Sequence, residues 1–180
     1  MQEIWIDNTW SLFLDRDGVI NKNINGGYVL NWEQFEFLPG VLDILPKFAR
    51  IFPRIIVVSN QQCVGKGLLS VQELEEIHVN MINIVELNGG RIDAVYYAPD
   101  LASPENILRK PNPGMAFLAK YDFPEINFKH TILVGDKLSD MEFGKPLGFT
   151  TFYLSDNYID SPLIDYHISS LSDVLEYVKY

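Results

Sequence analysis

Residues 10–21 read WSLFLDRDGVIN, and the run Trp10–Leu14 closing on Asp15 decides how the rest of the chain is read. It is too short for a helix, apolar but for one serine, and ends on a carboxylate. That describes a buried strand with chemistry at its end. Similar runs recur at Ile55–Val58, Ile92–Tyr97, Thr131–Val134 and Thr150–Leu154, with a last short strand near Ile168. Helical patterns lie between them. One starts after Pro39-Gly40 and covers Val41 to Phe48. A second is opened by Ser70-Val71-Gln72-Glu73, a capping box, and lasts until Asn88, where Gly89-Gly90 stops it. A third runs through Tyr121 with Asn112 as cap and Pro113 as first helical residue, and a fourth starts at Ser172. Strands alternating with helices predict an α/β fold: a three-layer, Rossmann-like parallel sheet with helices on both faces. No connection is long enough for a large cap domain, and residues 1–180 read as a single domain.

Bulk properties exclude several functions. The chain has 180 residues, 47% of them apolar, and a formal charge of −10. Nucleic acid, whose phosphates require a basic face, is excluded as a partner. No apolar run approaches the roughly 18 residues of a membrane helix, and MQEIWIDNTW lacks the regions of a signal peptide. A single cysteine, Cys63, cannot form an internal disulfide, which suits the cytoplasm. No membrane contact is expected, and the chain is read as a monomer or small homo-oligomer.

Four polar clusters each follow an apolar strand or the loop beyond it: Asp15-Arg16-Asp17-Gly18, Ser59-Asn60-Gln61, Arg109-Lys110-Pro111 and Gly135-Asp136-Lys137-Leu138-Ser139-Asp140. In a parallel sheet all carboxyl ends share one edge, and ligands bind there, so the clusters should converge. Asp15, Asp17 and Asp136 would then repel one another unless a cation joined them. Oxygen ligands without clustered Cys or His favour Mg²⁺. A carboxylate attacking a phosphate meets repulsion of about 4 kcal/mol per charge pair at 4 Å and an effective dielectric near 20. Mg²⁺ and Lys110 would offset it, and Ser59 would add a neutral donor. Asp15 can form an aspartyl-phosphate while Asp17 protonates the leaving alcohol and then activates water. Any one cluster alone is more often a turn or a cap.

With its neighbours, Phe13-Leu14-Asp15-Arg16-Asp17-Gly18-Val19-Ile20-Asn21 resembles the first motif of the haloacid dehalogenase-like phosphatases. Ser59, Lys110 and Gly135–Asp140 resemble the other three, and residues 10–155 carry the likeness. Gly27-Tyr28, Ser59-Asn60-Gln61 and Arg109-Lys110-Pro111 point to the branch that holds the heptose-bisphosphate and histidinol phosphatases. The resemblance implies a nucleophile in Asp15 and a general acid/base in Asp17. It implies Mg²⁺ on Asp15, the Asp17 carbonyl and Asp136, with Asp140 behind them. It further implies a grip on the phosphoryl group by Ser59 and Lys110, and substrate recognition by Arg109. By position Asn25, Gly27, Tyr28, Asn60, Gln61 and Lys137 would line the mouth. The expected partner is a small phosphorylated metabolite: a heptose bisphosphate is the leading substrate, histidinol phosphate the alternative, and a catalytically degenerate binding protein the third reading.

The chain departs from that branch in one loop. Where a zinc site of form Cys-x-His and Cys-x-Cys usually precedes Arg-Lys-Pro, this chain has Ala98, Asp100, Asn106 and Leu108. A structural zinc needs four ligands, so no zinc is expected, and Tyr96, Tyr97, Pro99 and Leu101 are the expected apolar anchors. His78, His130 and His167 read as surface or core-edge residues and Cys63 as packing, all without a catalytic part.

Overall fold

The computed structural model describes residues 3–180. In chain order the elements are β1 (Ile4–Trp5), β2 (Ser11–Leu14), α1 (Val41–Ile51), β3 (Arg54–Asn60), α2 (Val71–Leu87), β4 (Ala94–Ala98), α3 (Gly114–Asp122), β5 (Thr131–Gly135), α4 (Leu138–Gly144), β6 (Thr150–Leu154), β7 (Tyr166–Ile168), α5 (Val174–Tyr177) and β8 (Val178–Lys179). Six strands form one parallel sheet in the order β4-β3-β2-β5-β6-β7; β1 and β8 pair separately.

Strands this apolar are stable only when both faces are covered. Leu12, Leu14, Ile55, Val57, Ile132 and Val134 enter one core with Ile44 and Phe48 of α1 and Leu74 and Met81 of α2. Their alternating neighbours Phe13, Ile56, Val58 and Leu133 enter a second core with Met115 and Ala119 of α3 and Met141 and Phe143 of α4. The period of two thus sorts each strand between two layers, each large apolar side chain contributing roughly 1.5–3 kcal/mol on burial. No cap domain interrupts the sheet among the described residues.

This topology positions the site. The chain builds outward from β2 through β3 and β4, then crosses back to add β5 on the other side of β2. Leu14 pairs with Val57 on one side and Val134 on the other, so Asp15 emerges at the reversal, its N–H donating to Val134 O at 2.9 Å. Such a reversal leaves a crevice at the carboxyl edge.

Several boundaries differ from expectation. Ser59 and Asn60 are the last residues of β3 rather than its closing loop. Pro113 occupies the N-cap of α3, and Asn112 does not cap it. The Asn112 amide donates instead to Pro104 O and Asn106 O, bonds within the preceding loop. At the C-terminus a 3-10 turn over Leu171–Asp173, capped at Ser170, precedes the short α5. The capping box of α2 forms as read: Ser70 Oγ accepts from Glu73 N at 3.2 Å, and Glu73 Oε2 accepts from Ser70 N at 2.8 Å.

Candidate active site

Asp15, Asp136 and Asp140 meet at the crevice, each offering a carboxylate oxygen within 4.8 Å of the other two. Strand β2 delivers Asp15, and β5 delivers Asp136 one residue past its end. The first turn of α4 brings Asp140 back, its Oδ2 accepting from Lys137 N at 3.0 Å. Asp140, expected behind the metal ligands, contributes the third carboxylate of this trio; the Asp17 carboxylate is not part of it. Lys110 is buried among them, its Nζ 2.9 Å from Asp15 Oδ1, 2.7 Å from Asp140 Oδ1 and 2.8 Å from Val58 O. Asp15 Oδ1 also accepts from Arg16 N at 2.8 Å, and its Oδ2 receives no hydrogen bond from the described residues.

The charge balance is negative. Burial pushes the Asp15 carboxyl up to about 7; Lys110 and Lys137 pull it down, while Asp140 and Asp136 add to the rise. Burial raises Asp136 as well. Burial disfavours the Lys110 cation, yet Asp140 and Asp15 outweigh it and hold the ammonium above its ordinary value. Lys110 therefore stays charged, and burial, more than the neighbouring carboxylates, is what raises the two acids. Asp136 Oδ1 is buried without a hydrogen-bond partner, and Lys137 Nζ lies 3.4 Å from it. At Gly18, with φ +94°, an added Cβ would fall 2.1 Å from Asp136 Oδ2, so only glycine lets the β2 turn approach this closely. Hard oxygen donors, surplus negative charge and an orphaned acceptor fit a divalent cation.

The flanking residues act differently from their expected roles. Ser59 is buried, and its Oγ accepts from Gln61 Nε2 at 2.8 Å. Asn60 does not face the mouth: its amide bonds both Lys110 N (2.9 Å) and Lys110 O (3.0 Å), clamping the lysine's backbone. Gln61 is only 1% exposed, and its Nε2 also donates to Asp17 Oδ2 at 2.7 Å. Both side chains, expected to line the mouth, are engaged by the protein itself, Asn60 with the Lys110 backbone and Gln61 with Ser59 and Asp17. The Asp17 carboxylate is held by Arg16 Nη2 at 3.0 Å on each oxygen, by Asn21 Nδ2 at 2.9 Å and by Gln61. Burial raises Asp17, but the Arg16 guanidinium and these hydrogen bonds outweigh it and keep the carboxyl below its ordinary value. His78, expected at the surface or the core edge, is 4% exposed and lies against Arg16.

The mouth is polar. Asn25 and Gly27 are exposed, and the Tyr28 hydroxyl accepts from Gln62 Nε2 (2.9 Å) and Lys66 Nζ (2.8 Å). Lys137 is half exposed. Asn23, missed in the sequence, donates to Asp136 Oδ2 at 2.6 Å; only its proximity to the first cluster could have flagged it. Arg109 lines a cavity of about 470 Å³ with Ser103, Pro104 and Asn112, and its Nη1 is buried without a partner. The loop before it is organised by Asn106, whose Oδ1 accepts from Leu108 N and Arg109 N, both at 3.2 Å. Leu101 is 52% exposed and is not the expected anchor.

Known proteins resemble this chain over most of its length. Residues 107–165 match the HAD-hydrolase-like family. A D-glycero-alpha-D-manno-heptose-1,7-bisphosphate 7-phosphatase of Mycobacterium bovis is 43% identical over 133 residues, spanning 74% of this chain and 70% of the relative. The enzyme so named from Burkholderia mallei is 36% identical, over 80% and 78% of the two chains. Among solved structures, the D,D-heptose 1.7-bisphosphate phosphatase of B. bronchiseptica, complexed with magnesium and phosphate, superimposes with a TM-score of 0.82. It covers 93% of this chain and 96% of its own at 22% identity, which speaks for the fold.

Proposed function

This chain belongs to the haloacid dehalogenase-like phosphatases, and we propose that within them it removes the 7-phosphate of a D-glycero-D-manno-heptose 1,7-bisphosphate with Mg²⁺ as cofactor. The observation that carries the reading is the meeting of Asp15, Asp136 and Asp140 within 4.8 Å, with Lys110 2.9 Å from Asp15. The names of the relatives suggest the substrate, and both relatives cited are heptose-bisphosphate enzymes, which favours that substrate over histidinol phosphate.

In the proposed reaction Asp15 Oδ2 attacks phosphorus, because Oδ1 is already committed to Lys110 and Arg16 N–H. The bond between phosphorus and the sugar oxygen breaks, and that oxygen takes a proton from Asp17, which must be protonated for this step against the pull of Arg16 that lowers it in this structure. Water then attacks the aspartyl-phosphate and loses a proton to Asp17; phosphate departs and Asp15 is regenerated. Mg²⁺, held by Asp15, Asp136 and the Asp17 carbonyl with Asp140 behind them, would supply positive charge against the equatorial phosphate oxygens. Lys110 and the Ser59 hydroxyl face the same oxygens, and Arg109, with Lys137 and Tyr28, meets the rest of the substrate. We further propose that the loop 98–109 stands without zinc. Ala98, Asp100, Asn106 and Leu108 do not compose a four-ligand site, and Asn106 and Asn112 supply the cross-links.

The test is turnover. Purified protein with Mg²⁺ should release phosphate from heptose 1,7-bisphosphate, assayed as both anomers, far faster than from histidinol phosphate. The reverse ranking would reject the substrate. Full activity in Asp15→Asn would reject the mechanism, and stoichiometric zinc in the purified protein would reject the zinc-free loop.

A further inference from the structure

Arg16 heads the fully buried side chains by size; its Nε is buried without a hydrogen-bond partner, so its charge is compensated through the two terminal nitrogens. Nη2 contacts both oxygens of Asp17 at 3.0 Å, and Nη1 reaches His78 Nε2 at 3.0 Å. A guanidinium can only donate, so His78 Nε2 accepts and the imidazole proton sits on Nδ1. Burial and the neighbouring Arg16 push the His78 imidazole down to about 3, so it is neutral throughout the working range. His78 comes from the middle of α2, among Leu74, Ile77, Met81 and Val85, and its ring lies 5.4 Å from that of Tyr97. The helix thus sends one polar group through its apolar face, and that group ends on the arginine beside the proposed acid/base.

We propose that His78 and Arg16 are positioning residues for Asp17, the imidazole anchoring the guanidinium and the guanidinium aiming the carboxylate that exchanges protons with the leaving alcohol and the attacking water. The proposal rests on the role assigned to Asp17 above. Chemistry explains the choice of residue. A leucine at 78 would orphan Nη1 and free the guanidinium to turn away. A carboxylate there would compete with Asp17 for its charge. A neutral acceptor satisfies Nη1 and leaves the whole charge to Asp17.

The two half-reactions provide the test. Nitrophenolate leaves without a proton, so its first release from p-nitrophenyl phosphate depends on Asp15, Lys110 and the metal, whereas breakdown of the aspartyl-phosphate needs Asp17 as base. Rapid mixing of the Mg²⁺-loaded protein separates the two phases. His78→Leu should keep a burst of one nitrophenolate per chain at the native rate, then turn over about tenfold or more slower, part of the roughly 10²–10⁴-fold that general acid–base catalysis contributes. His78→Gln, which restores an acceptor, should return turnover close to native. Native turnover in His78→Leu, or burst and turnover falling together, would overturn the proposal. If His78→Leu does not fold, His78→Gln and His78→Glu decide: both satisfy Nη1, only the glutamate draws charge from Asp17, and equal second phases would overturn it. A native chain with neither burst nor turnover would instead refute the phosphatase reading, so the two failures are distinct.

Discussion

Lys110 joins the catalytic and the structural demands on single side chains. It lies between Asp15 and Asp140 at 2.9 and 2.7 Å with almost no exposure. Lys110→Met would leave two carboxylates buried without their cation, a change that typically costs about 3–5 kcal/mol. Denaturant melts in chelator should find that loss, and adding Asp140→Asn should recover part of it without restoring activity. His78 makes a pH prediction. Its folded value is about 3 against 6.5 when free. Below pH 6.5 the unfolded chain takes up a proton that the folded chain refuses, so this group's effect is absent above 6.5 and erodes stability as pH falls towards 3. The slope is at most about 1.4 kcal/mol per pH unit. His78→Gln lacks it, so the stability of the native protein relative to this variant should fall with pH across that window. At this scale Asp15 and Asp136 were legible because the end of a strand tells which edge a residue reaches, and Lys110 because it lies in the loop beyond such an end. Where a carboxylate points was not. Asp17 is two residues from Asp15, yet its oxygens go to Arg16, Asn21 and Gln61, partners chosen by packing.

Elements carry the site through short, tight joints. At Gly114 a Cβ would fall 2.3 Å from Ile107 O, where the Gly114 N–H closes the loop at 2.9 Å. Gly114→Ala should therefore loosen residues 99–113 and displace Arg109 more than the buried Lys110. The expected outcome is a raised KM for the sugar bisphosphate with a smaller change in kcat, and faster proteolysis within the loop. The cap of α2 is independent of the site: Ser70→Ala should cost about 1 kcal/mol in thermal or denaturant melts and leave turnover unchanged. Capping boxes and buried strands were legible because they are local patterns. The 3-10 turn at Leu171–Asp173 and the pairing of β1 with β8 were not, since two-residue strands carry no periodicity.

For the whole molecule the governing fact is a charge of −10 around a site that receives phosphates. Long-range repulsion should oppose encounter and local cations should win only at contact. Raising ionic strength from about 0.01 to about 0.15 M shortens the screening length from about 30 to about 8 Å, so KM should fall with salt before specific anion inhibition sets in. Steady-state kinetics at constant free Mg²⁺ would check this. By itself the sequence determined the layer order, the strands that end in chemistry and the carboxylate chemistry, because periodicity and strand-end position are properties of the chain alone. Tertiary structure alone decided which oxygens meet: that Asp140 joins Asp15 and Asp136, that Asn60 clamps Lys110, and that His78, from a helix across the sheet edge, holds Arg16. Those pairings arise from segments far apart in sequence, where the cost of burying each polar group selects a partner that no local pattern names.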